Sequence, residues 1–324
     1  MPTVRMGSRL HFGFQNLSLA RDRLYGGIGV GITRPTIEIE AERAETIATD
    51  DAVTEPYLRA VCAHLDVPGA ELSVRERPTH HAGFGTGTRL ALGSLRAVGA
   101  AYGRSVDLRA AAPALGRAGR SGVGVATLEA GGVVIDGGHA TEKFTTDPPA
   151  TGEWSTPPVL ARHAVPPDWR FLLVTPTSTV GPAGDAEDDQ IRAAVERADP
   201  GIADEVATLV TQRLLPAIAT GDRAAFGRAI TRLGRLNGAW YADEQGGVYR
   251  PPAGTLVDEL GSNAAVDGVG QSSWGPTVYG LTDRTRADRA REAGRDALRA
   301  ADVEGRIRVV EPASEGLSVD PGRS

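Results

Sequence analysis

Hydrophobic and polar residues alternate over residues 5–14, through Arg9-Leu10-His11-Phe12-Gly13-Phe14. This period predicts a strand with Arg9 and His11 on one face. Residues 24–32 repeat the alternation with glycine in many of the polar places, which predicts a turn and a strand packed closely on another backbone. A third alternating strand spans 36–41, with Ile37 and Ile39 inward and Glu38 and Glu40 outward. The spacing then becomes helical over 51–65, where Val53, Tyr57, Leu58, Val61 and Leu65 share a face and Asp66-Val67-Pro68-Gly69 ends the run. A strand over 71–77 and a helix over 90–102 follow, separated by a glycine-rich stretch. A short helix at 108–115 comes next. Ser121 is placed to cap another helix reaching about 129, and a strand over 131–138 ends in Asp136-Gly137-Gly138.

Residues 145–158 are rich in proline, threonine and glycine and mark a boundary or mobile loop, dividing the chain into domains 1–158 and 159–324. The apolar run Trp169–Pro176 opens the second half as a strand. An acidic run at 184–189 leads into a helix through Ile191 and Val195. Helices are expected over 202–218, 223–236 and 285–301, a loop entering a strand over 267–281, and a last strand at 307–310, with frayed residues after Pro312. Strands and helices alternate with hairpin-like pieces mixed in, which favours an α+β fold over a doubly wound parallel sheet.

Composition narrows the function classes. The chain of 324 residues can bury a substantial core, and no apolar run approaches a membrane span. A net charge of −6 without a basic block argues against nucleic-acid binding. With Cys62 as the sole cysteine and no signal-peptide pattern, a reducing cytoplasmic setting is expected. Lys143 is the only lysine. Arginine supplies every other cationic side chain, and genome composition is a sufficient reason for that.

The chemistry concentrates in His81-Ala82-Gly83-Phe84-Gly85-Thr86-Gly87-Thr88-Arg89, between the expected strand and helix. Such a loop aims backbone N–H groups at one point with the positive end of a helix behind them, which suits a phosphate or pyrophosphate. Gly83, Gly85 and Gly87 allow the backbone to approach the anion, and Thr86 and Thr88 add hydroxyls. The Gly-Lys-Ser/Thr ending of a Walker loop is absent, and the spacing departs from G-x-G-x-x-G. A tight turn with glycines for packing is the alternative reading of the same residues.

Further stretches complete a pattern: Arg9-Leu10-His11, Tyr25-Gly26-Gly27-Ile28-Gly29, Gly119-Arg120-Ser121-Gly122-Val123-Gly124-Val125, Gly131 to Gly138, and Gln271-Ser272-Ser273-Trp274-Gly275-Pro276-Thr277-Val278-Tyr279. Their order resembles the GHMP kinase superfamily and, within it, the β-ribofuranosylaminobenzene 5′-phosphate synthase family of methanopterin biosynthesis. Phe84, Thr86 and Arg89 depart from that pattern, which expects leucine, serine and glutamine. Gly124 stands where kinases such as mevalonate kinase carry an aspartate that activates the attacking hydroxyl.

The resemblance implies a two-domain fold. Its first domain is like the second domain of ribosomal protein S5, and its second domain is ferredoxin-like. It also implies a reaction of phosphoribosyl pyrophosphate with 4-aminobenzoate or 4-hydroxybenzoate that releases pyrophosphate and carbon dioxide with Mg²⁺. Under it, Gly83, Gly85, Thr86, Gly87 and Thr88 bind phosphate, and Arg120 and Ser121 neutralise it from the opposite side. His81 donates to the leaving group, and Arg9 and His11 hold the aryl carboxylate or ribose phosphate. Gln271, Ser272 and Ser273 close the site, and Glu129 and Asp136 hold the metal. The expected partners are small molecules, with neither nucleic acid nor membrane, in a family that often forms homodimers. An ATP-dependent small-molecule kinase and a non-catalytic phospholigand binder are the rival readings.

Overall fold

The alternation near the start of the chain becomes two long antiparallel strands, β1 (Thr3–Asn16) and β2 (Arg23–Arg43), in the computed structural model. It describes residues 1–322 except 80, 143, 145–148 and 178–184, and leaves the side chains of 185–187 aside. His80, the start of the expected boundary segment and the first residue of the acidic run at 184–189 therefore fall outside the described residues.

The first half continues through β3 (Ile47–Thr49), α1 (Glu55–Leu65), β4 (Ala70–Glu76), α2 (Thr86–Ala101), α3 (Leu108–Ala111), α4 (Val123–Ala130), β5 (Val133–Asp136), β6 (His139–Ala140) and β7 (Val159–His163). The second half runs β8 (Trp169–Pro176), α5 (Asp185–Arg197), α6 (Pro200–Leu209), α7 (Leu215–Thr220), α8 (Arg223–Trp240) and α9 (Ala242–Gln245). It ends with α10 (Ala253–Ser262), β9 (Gly268–Gln271), β10 (Val278–Asp283), α11 (Ala287–Ala300), β11 (Gly305–Val310) and β12 (Ser318–Asp320). One sheet has the order β12-β1-β2-β4-β3, with β5 and β6 also on β2 and β7 on β5. The other has the order β11-β8-β10-β9. The fold is α+β, as the mixed pattern implied. Strands β7 and β12 both belong to the first sheet, although they lie beyond residue 158.

Strand β1 serves two cores in turn. Val4 and Met6 pack with Ile37, Ile39, Leu58, Val61, Leu90 and Leu95, beneath α1 and α2. From Leu10 onward the buried side chains join Phe171, Phe226 and Tyr279 of the second half. The Phe12 ring centroid lies 5.1 Å from that of Tyr279 and 6.2 Å from Phe171 and Phe226. Register shifts in the β1–β2 ladder fall between Met6 and Ser8 and between His11 and Gly13. The first shift places three extra residues in β2 and the second one in β1, while Val4, Met6, Leu10, Phe12 and Phe14 are all even-numbered, so the alternation of β1 itself supplies both cores.

Helix α8 is tied to the end of β1 by Asn237. Its Oδ1 accepts from the Phe14 N–H at 2.6 Å, and its Nδ2 donates to the Phe14 carbonyl at 3.0 Å. A Cβ on residue 13 would stand 2.6 Å from this amide, so the position takes glycine. At the base of the β9–β10 hairpin, Arg223 pairs with Asp267 at 2.6 Å and Asp283 at 2.8 Å, and Arg286 pairs with both acids. The far end of that hairpin reaches into the first half.

Several expected elements change in extent. The strands expected at 24–32 and 36–41 are one continuous strand, with the join at 33–36 absorbed by the register shift against β1. Helix α2 starts at Thr86, not at 90, with Gly85 left-handed at its cap, so Thr86, Gly87 and Thr88 form a helical turn. The 108–115 helix gives way at Pro113 to a single 3-10 turn. The 202–218 helix is interrupted by a π turn at Val210–Leu214, where Pro216 removes an N–H from the regular ladder. Residues 313–322 are ordered rather than frayed. Ala313 N–H donates to Gly31, Leu317 N–H donates to Leu128, and β12 pairs with Thr3–Arg5, a strand too short to announce itself by periodicity. In the expected boundary segment, Trp154 Nε1 donates to the Arg117 carbonyl at 2.8 Å and holds that part against the turn before α4.

Replacing Asn237 by alanine leaves both buried polar groups of Phe14 without partners. Urea unfolding should show a loss of about 2–4 kcal/mol. A change within experimental error would mean that the α8–β1 contact is held by apolar packing alone.

Candidate functional site

The glycine loop is clamped from two sides. On one side β1 lies against it: Arg9 N–H donates to the Phe84 carbonyl at 3.1 Å, and Arg9 Nη1 donates to the Gly83 carbonyl at 2.7 Å. On the other side is the β9–β10 connection. Ser272 Oγ donates to the same Gly83 carbonyl at 2.7 Å and accepts from the His11 N–H at 3.1 Å, while Ser273 N–H donates to the His11 carbonyl at 3.1 Å. The approach is close enough that a Cβ on Gly275 would lie 2.2 Å from Gly83 N. Gly83 and Gly85 have φ of +90° and +71°, values that favour glycine. The expected members Arg9, His11, Gly83, Gly85, Ser272 and Ser273 are thus brought together.

Beyond Gly85 the first turn of α2 has no side-chain cap, so its leading N–H groups keep no side-chain partner. Thr86 is buried at 5% exposure, and its Oγ1 has no hydrogen-bond partner. Thr88 faces α4, where a Cβ on Gly124 would meet the Thr88 side chain at 3.2 to 3.4 Å. Gly87 lies beside Arg117, which stacks over Tyr57 with 5.3 Å to the ring centroid. Arg117 had no motif to reveal it in the sequence.

Opposite the loop, Ser121 sits at the turn into α4. Gly122 rather than Ser121 is the helix cap residue, and Ser121 Oγ accepts from Val123 N–H at 3.2 Å. The same hydroxyl donates to Asp136 Oδ2 at 3.1 Å and lies 3.3 Å from His11 Nε2. With its proton on Asp136, Ser121 can only accept from His11, and the network assigns His11 as the Nε2–H tautomer. Burial, then the charge of Arg9, lowers the His11 pKa to about 3. A neutral imidazole attracts no carboxylate by charge, so at neutral pH His11 offers a hydrogen-bonding group rather than a cation. Arg120 pairs with Asp188 of α5 and interacts with Tyr25, whose own pKa burial raises. His81 occupies the turn before Gly83 with φ of +58°.

The two acids expected to hold a metal do not fit that task. Glu129 is exposed near the C-terminal end of α4, about 9 Å along the axis from Val123, and pairs with Arg109 at 2.5 Å. Asp136 is fully buried and accepts from Gly122 N–H at 2.7 Å, Gly138 N–H at 2.9 Å and Ser121. Burial raises its pKa against these bonds and one from Gly27 N–H. With its oxygens taken, Asp136 joins three glycine-rich turns. Among the described residues no group of three or more His, Cys, Asp or Glu is placed to hold a metal ion. Gln271 spends its amide on the Gly275 carbonyl at 2.9 Å, within its own loop. Beside these residues, a cleft of about 50 Å³ is lined by His11, Phe14, Asn237, Gln271, Ser273 and Trp274.

The buried histidines make a pH prediction. His139, 3.0 Å from the Ala118 carbonyl and stacked on Phe144, is lowered to about 4, chiefly by burial. Unfolded histidine titrates near about 6.5, so the unfolded state binds protons that the folded state refuses. Stability should be complete above about pH 6.5 and fall as pH drops toward 4. Urea midpoints at neutral pH and near pH 4.5 measure the loss, on the order of 2 kcal/mol from His11 alone, and His11→Asn should remove that part. Equal pH slopes in the two proteins would refute it.

The geometry agrees with relationships across the whole chain. Residues 214–300 match the family model for the GHMP kinases C terminal. The chain is 31% identical to the beta-ribofuranosylphenol 5'-phosphate synthase of Archaeoglobus fulgidus, over 99% of this chain and 100% of that one. It is 29% identical to the protein of the same name from Methanothermobacter thermautotrophicus, covering 86% and 88%. Among solved structures it is similar to L. major mevalonate kinase in complex with R-mevalonate, with a TM-score of 0.69, 14% identity and 96% of each chain covered. It is likewise similar to a homoserine kinase from Listeria monocytogenes, with a TM-score of 0.66, 14% identity and 99% of each chain covered. The fold is that of the GHMP kinases, and the chain belongs to the beta-ribofuranosylphenol 5'-phosphate synthase family.

Proposed function

We propose that the protein joins the anomeric carbon of phosphoribosyl pyrophosphate to the carboxylate-bearing ring carbon of 4-hydroxybenzoate or 4-aminobenzoate, with loss of pyrophosphate and carbon dioxide. The observation that carries this reading is the turn around Gly124. No acid stands there, and a side chain at that position would meet Thr88 first. A site that offers anion donors but no base to activate an alcohol suits departure of a diphosphate better than phosphorylation of a hydroxyl. The relatives' name supports a riboside phosphate product and favours the hydroxyl acid as acceptor.

In this reading the first turn of α2 and Thr86 Oγ1 receive the leaving pyrophosphate, with Arg9 and Arg120 neutralising it and His81 donating to it. The ribose carbon becomes cationic as its bond to oxygen breaks. The ring carbon attacks, pushed by the para hydroxyl or amino group, and the electron pair of the C–CO₂ bond restores aromaticity as carbon dioxide leaves. No strong base is needed. Mg²⁺ belongs to the proposal as a companion of the pyrophosphate oxygens, with no protein acid assigned to it.

The test mixes protein, Mg²⁺, phosphoribosyl pyrophosphate and carboxyl-labelled 4-hydroxybenzoate or 4-aminobenzoate. Labelled carbon dioxide is expected. No release with either acid, together with ATP turnover on a screened alcohol, would establish the kinase reading instead. Gly85→Val should abolish pyrophosphate binding in calorimetry, because a side chain there meets Arg9 at 3.0 Å. The left-handed backbone should cost it about 1–2 kcal/mol of stability, leaving a folded protein. Binding that survives the substitution would move the phosphate site elsewhere.

A further inference from the structure

One residue of the first helical turn is left unexplained by the loop's own architecture. Arg89 is 1% exposed, and its guanidinium meets only neutral acceptors: the Gly7 carbonyl at 3.1 Å, the Gly124 carbonyl at 3.2 Å and Thr127 Oγ1 at 2.9 Å. Among the described residues no carboxylate pairs with it. Burial of a charge without a counter-charge is costly, and the nearby Arg9 adds repulsion. Burial, then Arg9, pushes the pKa of Arg89 down to about 9, which leaves it charged at neutral pH. The charge also lies directly beneath the loop, since a Cβ on Gly85 would stand 3.2 Å from Arg89 Nη1. In the same turn Thr86 Oγ1 is buried without a partner.

We propose that Arg89 is the fixed counter-charge of the anion site and sets its preference for a diphosphate over a monophosphate. The inference rests on the glycine loop being the pyrophosphate site. Three of the five N–H donors of Arg89 are engaged with Gly7, Gly124 and Thr127, one from each nitrogen, which fixes the guanidinium beneath the loop. It acts through its field, which is little screened in a buried setting and scales with the charge of the ligand. The more highly charged anion therefore gains more. Arg89 is a specificity-determining residue and not a catalytic one.

The experiment titrates inorganic pyrophosphate and orthophosphate, by calorimetry, into the intact wild-type protein and three variants, each checked by thermal melting. Arg89→Gln removes the charge. Thr127→Asp keeps Arg89 but sets a carboxylate against its guanidinium, which neutralises the field and stabilises the buried charge, so this variant is the one expected to fold without loss. Arg89→Lys retains the charge and should keep the wild-type preference. Arg89→Gln and Thr127→Asp should each weaken pyrophosphate by about tenfold or more and orthophosphate by clearly less, so the ratio of the two affinities collapses. A folded Thr127→Asp protein with the wild-type ratio would overturn the role of Arg89 while leaving the loop intact. Wild-type protein that binds neither anion would overturn the loop reading itself, and the proposal with it.

Discussion

The Gly83 carbonyl is where the structure is joined. Arg9 from β1 and Ser272 from the β9–β10 connection both donate to this one oxygen, and Ser272 also accepts from His11. Three segments far apart in the chain are thereby held to one geometry. A loop with two left-handed glycines would otherwise sample many conformations, and the donors it aims at an anion would not converge. The hairpin that delivers Ser272 is itself clamped at its base by Arg223 and Arg286 on Asp267 and Asp283. Order at the loop thus depends on ion pairs at the other end of β9 and β10.

Asp136 does for the opposite wall what Gly83 does for the loop. It is a fully buried carboxylate whose charge is spread over backbone N–H groups and one hydroxyl. Through Ser121 it reaches His11, which lies on the strand carrying Arg9. The two walls are therefore coupled through β1. Arg9 and His11 sit where β1 passes from the core that holds Met6 to the core that holds Phe12.

Much of this was legible in residue order. The alternation at the start of the chain, the apolar Trp169–Pro176 strand and the strand–glycine–helix unit all appear where their patterns put them. The grouping of Gly83, Ser121 and Ser272 follows from motifs spaced along most of the chain. What the pattern could not carry was the division of labour. Glu129 and Asp136 have the right chemistry for a metal, but only the fold reveals that one is spent on Arg109 and the other on turns. Asn237 was hidden altogether, and Arg89 showed only as a departure from a pattern, for the opposite reason. Each sits on a helix whose period is satisfied with or without it, and its importance comes from what lies across from it in space. The pattern starts α2 too late because a glycine-rich first turn has low helix propensity, which packing against β1 and β2 overrides.

The return of β12 to β1 has a consequence for handling the molecule. Thr3 pairs with Asp320, and Gly322 lies against Met1, so the two ends of the described chain run side by side on one edge of the first sheet. A linker of a few residues would be long enough to close the chain into a ring. Arg9 lies about 20 Å along β1 from that edge pair, so new ends could be opened in a surface turn of the second half without moving the walls of the site.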